Sequence, residues 1–153
     1  AGSSDGQEVG GANPPKGSVM AKLSHIEGIG EKYEAKLRQA GLRSISDLLA
    51  RGATPQGRKE LAAKSGIKPE LILKWVNNAD LFRIKGVGSE YAELLEAAGV
   101  DTVPELAKRK AENLVKRMAE VNNDKHLVRR LPVEKQVSGW VAQAKTLERI
   151  VKY

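Results

Sequence analysis

Two glycine pairs in this chain have the residue types and spacing of a phosphate-binding backbone turn. The first is Gly28-Ile29-Gly30, and the second is Gly86-Val87-Gly88, 58 positions further along. Glycine adopts backbone angles that other residues avoid and lets a bound group approach the main chain closely. When such a turn leads into a helix, the first backbone N–H groups of that helix are free and its dipole favours an anion. The pattern therefore predicts contacts to phosphate groups, which read no base sequence.

The two turns belong to an internal repeat that extends beyond the glycines. Further positions that match at the offset of 58 are Tyr33 and Tyr91, Leu37 and Leu95, Gly41 and Gly99, and Leu48 and Leu106. A register kept over so many positions indicates duplicated units. Trp75 and Trp140 match at an offset of 65 instead, which predicts an insertion of about seven residues at Asn122-Asn123-Asp124.

Basic side chains near the turns would add charge attraction to the backbone contacts. Lys32 lies two residues after the first turn, where its neighbour Glu31 opposes an anion, and the second turn has Glu90 at that position. We nevertheless predict that the second turn is the better site, because Arg83 and Lys85 precede it and the basic run of residues 108–110 adds to its charge. The predicted nucleic-acid contacts are Gly28, Ile29, Gly30, Lys32, Arg83, Lys85, Gly86, Val87, Gly88, Lys108, Arg109 and Lys110.

The charge balance leaves two hypotheses open. The chain has 26 basic and 19 acidic residues, a net charge of +7 that permits a polyanionic partner without requiring one. The first hypothesis is a non-catalytic nucleic-acid-binding module, with DNA favoured over RNA. The alternative is a protein–protein adaptor or scaffold in which the glycine turns only shape the fold. The sequence leaves the oligomeric state open.

Several classes of protein are disfavoured by what the sequence lacks. There is no cysteine, and the two histidines lie 101 positions apart. The glycine pairs also lack the third glycine and the preceding strand of a dinucleotide-binding motif. We therefore expect no enzyme activity, no cofactor and no metal site. Since no apolar run approaches about 20 residues, we also expect no membrane contact and a cytoplasmic location.

The elements that position the turns are predicted to be helical throughout, so the expected fold class is all-α. Residues 1–19 are rich in Gly, Ser, Asn and Pro and are predicted to be a disordered leader or linker that precedes Met20. Residues 20–83 and 84–153 then form the two repeats. Within the second repeat, residues 111–121 and 125–131 are predicted to be helices. The tyrosines and tryptophans have helical apolar spacing, which indicates core packing.

Helix boundaries are indicated by short local signals. Ser44 with Asp47 resembles a capping box, and Thr102 followed by Pro104 and Glu105 predicts a stronger helix start at the matching place. Thr54-Pro55 predicts another start.

The glycine–hydrophobic–glycine turn between helices resembles the helix-hairpin-helix motif of many DNA-binding proteins. The wider pattern through Ala40-Gly41-Leu42 to Leu48 is similar to the small helical domains at the N-terminus of archaeal recombinases and at the C-terminus of the RNA polymerase alpha chain. Residues 23–153 also resemble an uncharacterised bacterial family of paired helix-hairpin-helix domains. The resemblance implies two such repeats packed as one helical unit. Many DNA-binding hairpins have proline before the first glycine, where this chain has Glu27 and Lys85.

Overall fold

The residues after the first glycine turn fold into α-helices joined by short connections. The computed structural model describes residues 22–153, which contain eight α-helices and no β-strand, so the predicted all-α class is confirmed. The helices are α1 (Glu31–Gln39), α2 (Ile45–Arg51), α3 (Pro55–Ser65), α4 (Pro69–Leu81), α5 (Ser89–Ala97), α6 (Val103–Ala107), α7 (Ala111–Lys125) and α8 (Glu134–Lys145). The leader predicted at residues 1–19 lies outside the described residues.

Helices α1 and α5 end in the same left-handed glycine turn. Gly41 and Gly99 both have φ of +97°, which glycine adopts without steric cost. The N–H of Leu42 reaches back to the carbonyl of Leu37 at 2.9 Å, and Val100 makes the matching 2.8 Å bond in the second half. This satisfies carbonyls at the end of each helix while a hydrophobic residue packs behind the glycine. Gly41 and Gly99 are thus the left-handed residues that follow α1 and α5.

The start of α2 has the predicted capping interaction. Ser44 Oγ accepts a hydrogen bond from the N–H of Asp47 at 3.1 Å, and Asp47 Oδ2 accepts one from the N–H of Arg43 at 2.9 Å. At α3, Thr54 Oγ1 accepts from the N–H of Gly57 at 3.0 Å, as expected for a cap followed by proline. Each bond satisfies an amide that the helix itself leaves unpaired.

The helix start predicted at Thr102 is confirmed, because Thr102 is the N-cap residue of α6, but unlike Ser44 its side chain makes no capping hydrogen bond. The Thr102 hydroxyl donates to Glu105 Oε1 at 3.0 Å and accepts no backbone N–H of α6. The fully buried carboxylate of Asp80 instead accepts the N–H of Val103 at 2.8 Å. A side chain from α4 therefore provides the cap, which the local sequence around Thr102 could not indicate.

The prediction of a helix over residues 125–131 is also wrong. Helix α7 continues to Lys125, and His126 then takes a left-handed conformation with φ of +52°. The side chain of Asn122 bonds both backbone groups of Val128, at 2.9 and 3.1 Å, which offers this segment an alternative to helical bonds. Residues 126–133 form an extended connection between α7 and α8, whereas the matching connection in the first half is only residues 66–68. The insertion predicted in the second repeat therefore comprises this longer loop together with the last residues of α7, which is longer than α3.

Helices α4 and α8 lie at the centre of the packing. Helix α4 contacts α2, α3 and α5, and α8 contacts α6 and α7. Of the 13 residues of α4, the eight described as buried include Trp75 and the polar residues Asn77, Asn78 and Asp80. Because α4 also packs on α5, the hydrophobic core continues from one half of the chain into the other.

The residues after α8 return to the first half of the chain. The N–H of Lys152 donates to the carbonyl of Ala53 at 2.7 Å, and Val151 is 1% exposed. Arg58 donates to the carbonyls of Gly52 and Lys152, both at 2.8 Å. A buried guanidinium in α3 thus ties the C-terminal residues to the α2–α3 connection.

Candidate nucleic-acid interface

The two glycine turns have nearly identical backbones. The first glycine of each turn is left-handed, with φ of +93° at Gly28 and +95° at Gly86. The middle residues Ile29 and Val87 are 4% and 0% exposed, and each donates its N–H to the carbonyl three positions earlier at 3.1 Å. A buried hydrophobic residue therefore fixes each turn between its two glycines.

The second glycine of each turn begins a helix and leaves its N-terminus open. Gly30 and Gly88 are the extended N-caps of α1 and α5, and as glycines they supply no capping side chain. Both are exposed, and a Cβ added to either would meet nothing within 4 Å. The N–H groups of residues 31–33 and 89–91 precede the first bonds of the helix ladder. No described residue accepts a hydrogen bond from these amides, so each turn presents them next to open space.

A tyrosine–tryptophan pair lies next to the first glycine of each turn. The rings of Tyr33 and Trp75 are 5.0 Å apart in an edge-on arrangement, and those of Tyr91 and Trp140 are 5.2 Å apart. The two tryptophans are 1% and 2% exposed, which confirms the predicted core packing. A Cβ on the first glycine of either turn would approach the indole Nε1, at 3.5 Å in the first half and 3.0 Å in the second. Glycine is favoured at both positions by φ, and at Gly86 the indole also leaves little room for a Cβ, whereas 3.5 Å at Gly28 is an ordinary contact distance.

Both turns and both tryptophans lie in the part of the chain that matches the model of one protein family. The model of the family described as a domain of unknown function (DUF4332) matches residues 27–147, which include both turns and both tryptophans and most of the chain. The chain belongs to this family. Comparisons with curated proteins and with solved structures found no match.

The side chain of Gln143, which belongs to no sequence motif, holds the second turn in place. Gln143, three residues after Trp140, accepts the N–H of Lys85 at 2.9 Å and donates to the carbonyl of the same residue at 3.3 Å. The residue three after Trp75 is Asn78, which is 1% exposed and whose Oδ1 has no hydrogen-bond partner among the described residues. The halves thus differ in how their turns are braced. The offset of 65 that relates the tryptophans also relates these two amides.

Acidic side chains surround the first turn. Lys32 is exposed, as its proposed contact with phosphate requires, but Glu31 and Glu34 lie in the same first turn of α1. Glu27, also exposed, precedes Gly28. Carboxylates at the positive end of a helix interact favourably with its dipole and oppose a bound anion.

The two basic residues before the second turn have different environments. Lys85 is exposed, whereas the Arg83 side chain is 12% exposed and its Nη1 lies 2.7 Å from Oδ1 of the fully buried Asp80. Arg83 Nη2 also donates to the carbonyl of Glu148 at 2.8 Å. Arg83 is therefore held by intramolecular contacts, and Lys85 is the side chain that faces solvent.

The predicted residues Lys108, Arg109 and Lys110 lie at the opposite end of α5 from the second turn. Arg109 Nη2 donates to the carbonyl of Gly99 at 3.1 Å, just past the last residue of α5, while Gly88 caps its first residue. A nine-residue helix spans about 13 Å at 1.5 Å per residue. Lys108 and Lys110 are exposed, so these residues form a basic patch separate from the turn.

An open depression of about 530 Å³ lies between the start of α7 and one side of α8. Its charged lining residues are the basic Arg109, Lys110 and Lys145 and the acidic Glu112 and Glu134. Because both signs of charge are present, this depression has no evident preference for an anion.

Residues 22–153 contain no cluster of three acidic or histidine side chains that could hold a metal ion. None of the helices in this part of the chain has the length and apolar character needed to cross a membrane.

Proposed function

We propose that this chain is a non-catalytic module that binds the phosphate backbone of nucleic acids, with DNA favoured over RNA. The observation that carries the proposal is the repeated geometry of the two turns: an exposed N-cap glycine, open space before it, and three amides outside the helix ladder. Such a helix start attracts anions through its N–H groups and its dipole. The likeness to paired helix-hairpin-helix domains supports the same function.

The proposed contacts are made by the turns themselves and by the exposed lysines beside them, Lys32 and Lys85. Arg83 takes part indirectly, because its ion pair with Asp80 anchors the chain just before the second turn. The basic patch of residues 108–110 would reach a different phosphate, since it lies at the other end of α5. Binding of this kind is weak, independent of base sequence and sensitive to salt.

The alternative of a protein adaptor has less support. Among residues 22–153 the exposed large hydrophobic side chains are Leu131, Val133 and Tyr153, in two separate segments. Docking surfaces for proteins are usually larger and contiguous apolar patches.

The first test is a fluorescence-anisotropy titration with short single- and double-stranded DNA and RNA. If each turn contacts about two phosphates, the log–log salt slope between about 50 and about 200 mM is near −3.6, at about −0.9 per contact. Micromolar binding that weakens with salt, and is tighter for DNA, is the expected result. Absence of binding at low salt would overturn the proposal.

A substitution at the second turn separates phosphate binding from fold stability. Gly88 has the extended backbone of a capping residue, with φ of −101°, and a side chain there meets open space. Gly88→Asp would place a carboxylate on the free amides, which stabilises α5 by up to about 1 kcal/mol and repels phosphate. We expect DNA affinity to fall about tenfold or more while the melting temperature does not fall.

The matched control is Gly88→Ser, which caps the same amides without adding charge. We expect it to weaken DNA binding less than Gly88→Asp does. If Gly88→Asp kept wild-type affinity, the amides of α5 would not be the site.

A further inference from the structure

The loop of residues 126–133 and its flanks concentrate unpaired positive charge. Residues 125–135 contain one acidic residue, Glu134, and four basic residues: Lys125, Arg129, Arg130 and Lys135. All four basic side chains are exposed, and none forms an ion pair with a described residue. The corresponding connection in the first half, residues 66–68, has a single lysine. The insertion that distinguishes the two halves is therefore a basic one.

The loop has fixed anchor points on both sides of its arginines. Before them, the Asn122 side chain bonds both backbone groups of Val128, which is 7% exposed. After them, Pro132 is buried. Arg129 and Arg130 thus project from a backbone that is tethered on each side, so little backbone entropy would be lost when their side chains contact a ligand.

A hydrogen bond places this loop beside the second turn. The hydroxyl of Tyr91 donates to the carbonyl of Arg130 at 3.1 Å. Tyr91 is the third residue of α5, so its own backbone N–H is one of the free amides that follow Gly88. The equivalent residue of the first half is Tyr33, whose ring centre lies 5.8 Å from Nζ of Lys36.

We propose that Arg129 and Arg130 form a second contact surface for the DNA phosphate backbone, adjacent to the second turn. This inference rests on the proposed function and assigns most of the binding to the second half of the chain. Guanidinium groups suit the role because their planar N–H donors can bond two phosphate oxygens at once. The second turn and the two arginines would contact neighbouring phosphates and supply most of the about four contacts that a slope near −3.6 requires, and the first turn, surrounded by carboxylates, would supply few of them.

The test compares two charge-reversal pairs in the full chain. The first is Arg129→Glu with Arg130→Glu, and the matched control is Lys64→Glu with Lys68→Glu. Both control residues are exposed: Lys68 lies in the corresponding connection of the first half, and Lys64 lies in the last turn of α3 just before it. Replacing both changes the net charge by the same amount as replacing both arginines. Duplex DNA affinity is measured by anisotropy across the salt range, with circular dichroism and thermal melting as checks on folding.

We expect the arginine pair to weaken duplex binding about tenfold or more and to reduce the magnitude of the salt slope by about 1.8, or two contacts. The lysine pair should leave both close to wild type. Should the glutamates disturb folding, Arg129→Gln with Arg130→Gln removes the same two charges, and we expect it to reduce the slope equally.

Three results would overturn the inference, and they are distinguishable. If the wild type binds DNA and both double variants lose affinity equally, the attraction is a general effect of net charge; this contradicts the inference but not the proposed function. Absence of wild-type binding to any nucleic acid would remove the proposed function and the inference together. Arginine-dependent binding to phosphatidylserine vesicles without duplex binding would indicate an anionic lipid surface instead.

Tyr91→Phe tests the placement of the loop. It removes the hydroxyl that bonds Arg130 but keeps the ring against Trp140. We expect a smaller loss of affinity than in the arginine pair, with an unchanged melting temperature. Wild-type affinity would mean that the hydroxyl does not position the arginines, and would contradict that step.

Discussion

Gln143 holds both backbone groups of Lys85, accepting its N–H at 2.9 Å and donating to its carbonyl at 3.3 Å. The two residues are 58 positions apart, so α8 braces the chain immediately before Gly86. In the first half, Asn78 is shorter by one methylene, and its buried Oδ1 has no partner among the described residues. The hydrogen bonds of Gln143 thus fix the second turn, whereas Oδ1 of Asn78 makes no corresponding hydrogen bond to a described residue.

Gln143→Leu is expected to loosen the second turn without unfolding the chain. Water can reach Lys85, so losing the two hydrogen bonds should cost about 1 kcal/mol of unfolding free energy or less, together with some DNA affinity. Urea denaturation and anisotropy measure the two effects. Gln143→Glu keeps an acceptor for the Lys85 N–H and should lose less stability. Unchanged stability and affinity in Gln143→Leu would show that the turn needs no brace.

Charge reversal at Arg83 and at Lys85 should have very different consequences for stability. Arg83→Glu would leave Asp80 buried without its cation and add a second carboxylate, a change that costs about 3–5 kcal/mol. Lys85→Glu, at an exposed position, should change stability by no more than about 0.5 kcal/mol. Chemical denaturation checks both, and Lys85→Glu alone is the variant suited to DNA-binding measurements. Equal, small effects would contradict the structural role of Arg83.

The sequence predicted the helices and turns whose signals are local. The left-handed glycine after α1 and the Ser44 cap act within about five residues, so their pattern is visible in the sequence. The extended loop after Lys125 was missed because the Asn122 side chain bonds the backbone in place of a continued helix. Arg129 and Arg130 are adjacent in the sequence, but nothing in their spacing shows that they lie beside α5.

The charged residues of the candidate site were harder to interpret, because burial decides their roles. Asp80 and Arg83 are three residues apart, a spacing that permits an ion pair on a helix. Only the packing of both halves shows that Asp80 is fully buried and also caps α6. The exposed Lys85 and the paired Arg83 therefore looked equivalent in the sequence.

Alanine at the first glycine of each turn should destabilise the second half more than the first. Both glycines have positive φ, which costs a residue with a Cβ about 1–2 kcal/mol. A Cβ at Gly86 would also lie 3.0 Å from Trp140 Nε1, whereas at Gly28 the closest atom is at 3.5 Å. Thermal or urea denaturation of Gly28→Ala and Gly86→Ala compares them. Gly88→Ala, with open space and negative φ, is the control and should cost least.

Two carboxyl groups near the junction of the halves should make stability depend on pH. Burial raises the pKa of Glu96 above its ordinary 4.5, against the opposing effect of Lys74, and burial with the nearby Glu105 raises the pKa of Asp101 above 3.8. Each folded-state pKa exceeds the unfolded one, so the stability is fully present below those ordinary values. It is lost as the pH rises through the folded-state values.

The check is the unfolding free energy of the wild type and of the double variant Glu96→Gln, Asp101→Asn from about pH 4 to about pH 8. We expect the variant to gain stability relative to the wild type as the pH rises, because the wild type must ionise both groups in a half-buried setting. Glu93 and Lys125 also face Glu96 and stay unchanged in both proteins. A difference that is constant with pH would contradict the prediction.

Arg58 should be essential for holding the C-terminal residues against the first half. Its guanidinium donates to the Gly52 and Lys152 carbonyls at 2.8 Å each, and Arg58→Met would leave both without that donor. Because burying the cation has its own cost, the net loss should be about 2 kcal/mol. Limited proteolysis should then cut within residues 146–153 faster than in the wild type. Arg58→Lys keeps the charge, but an ammonium lacks the planar set of donors that bonds two carbonyls at once. We therefore expect its stability and proteolysis to resemble those of Arg58→Met. If Arg58→Lys behaved like the wild type, the charge alone would be sufficient.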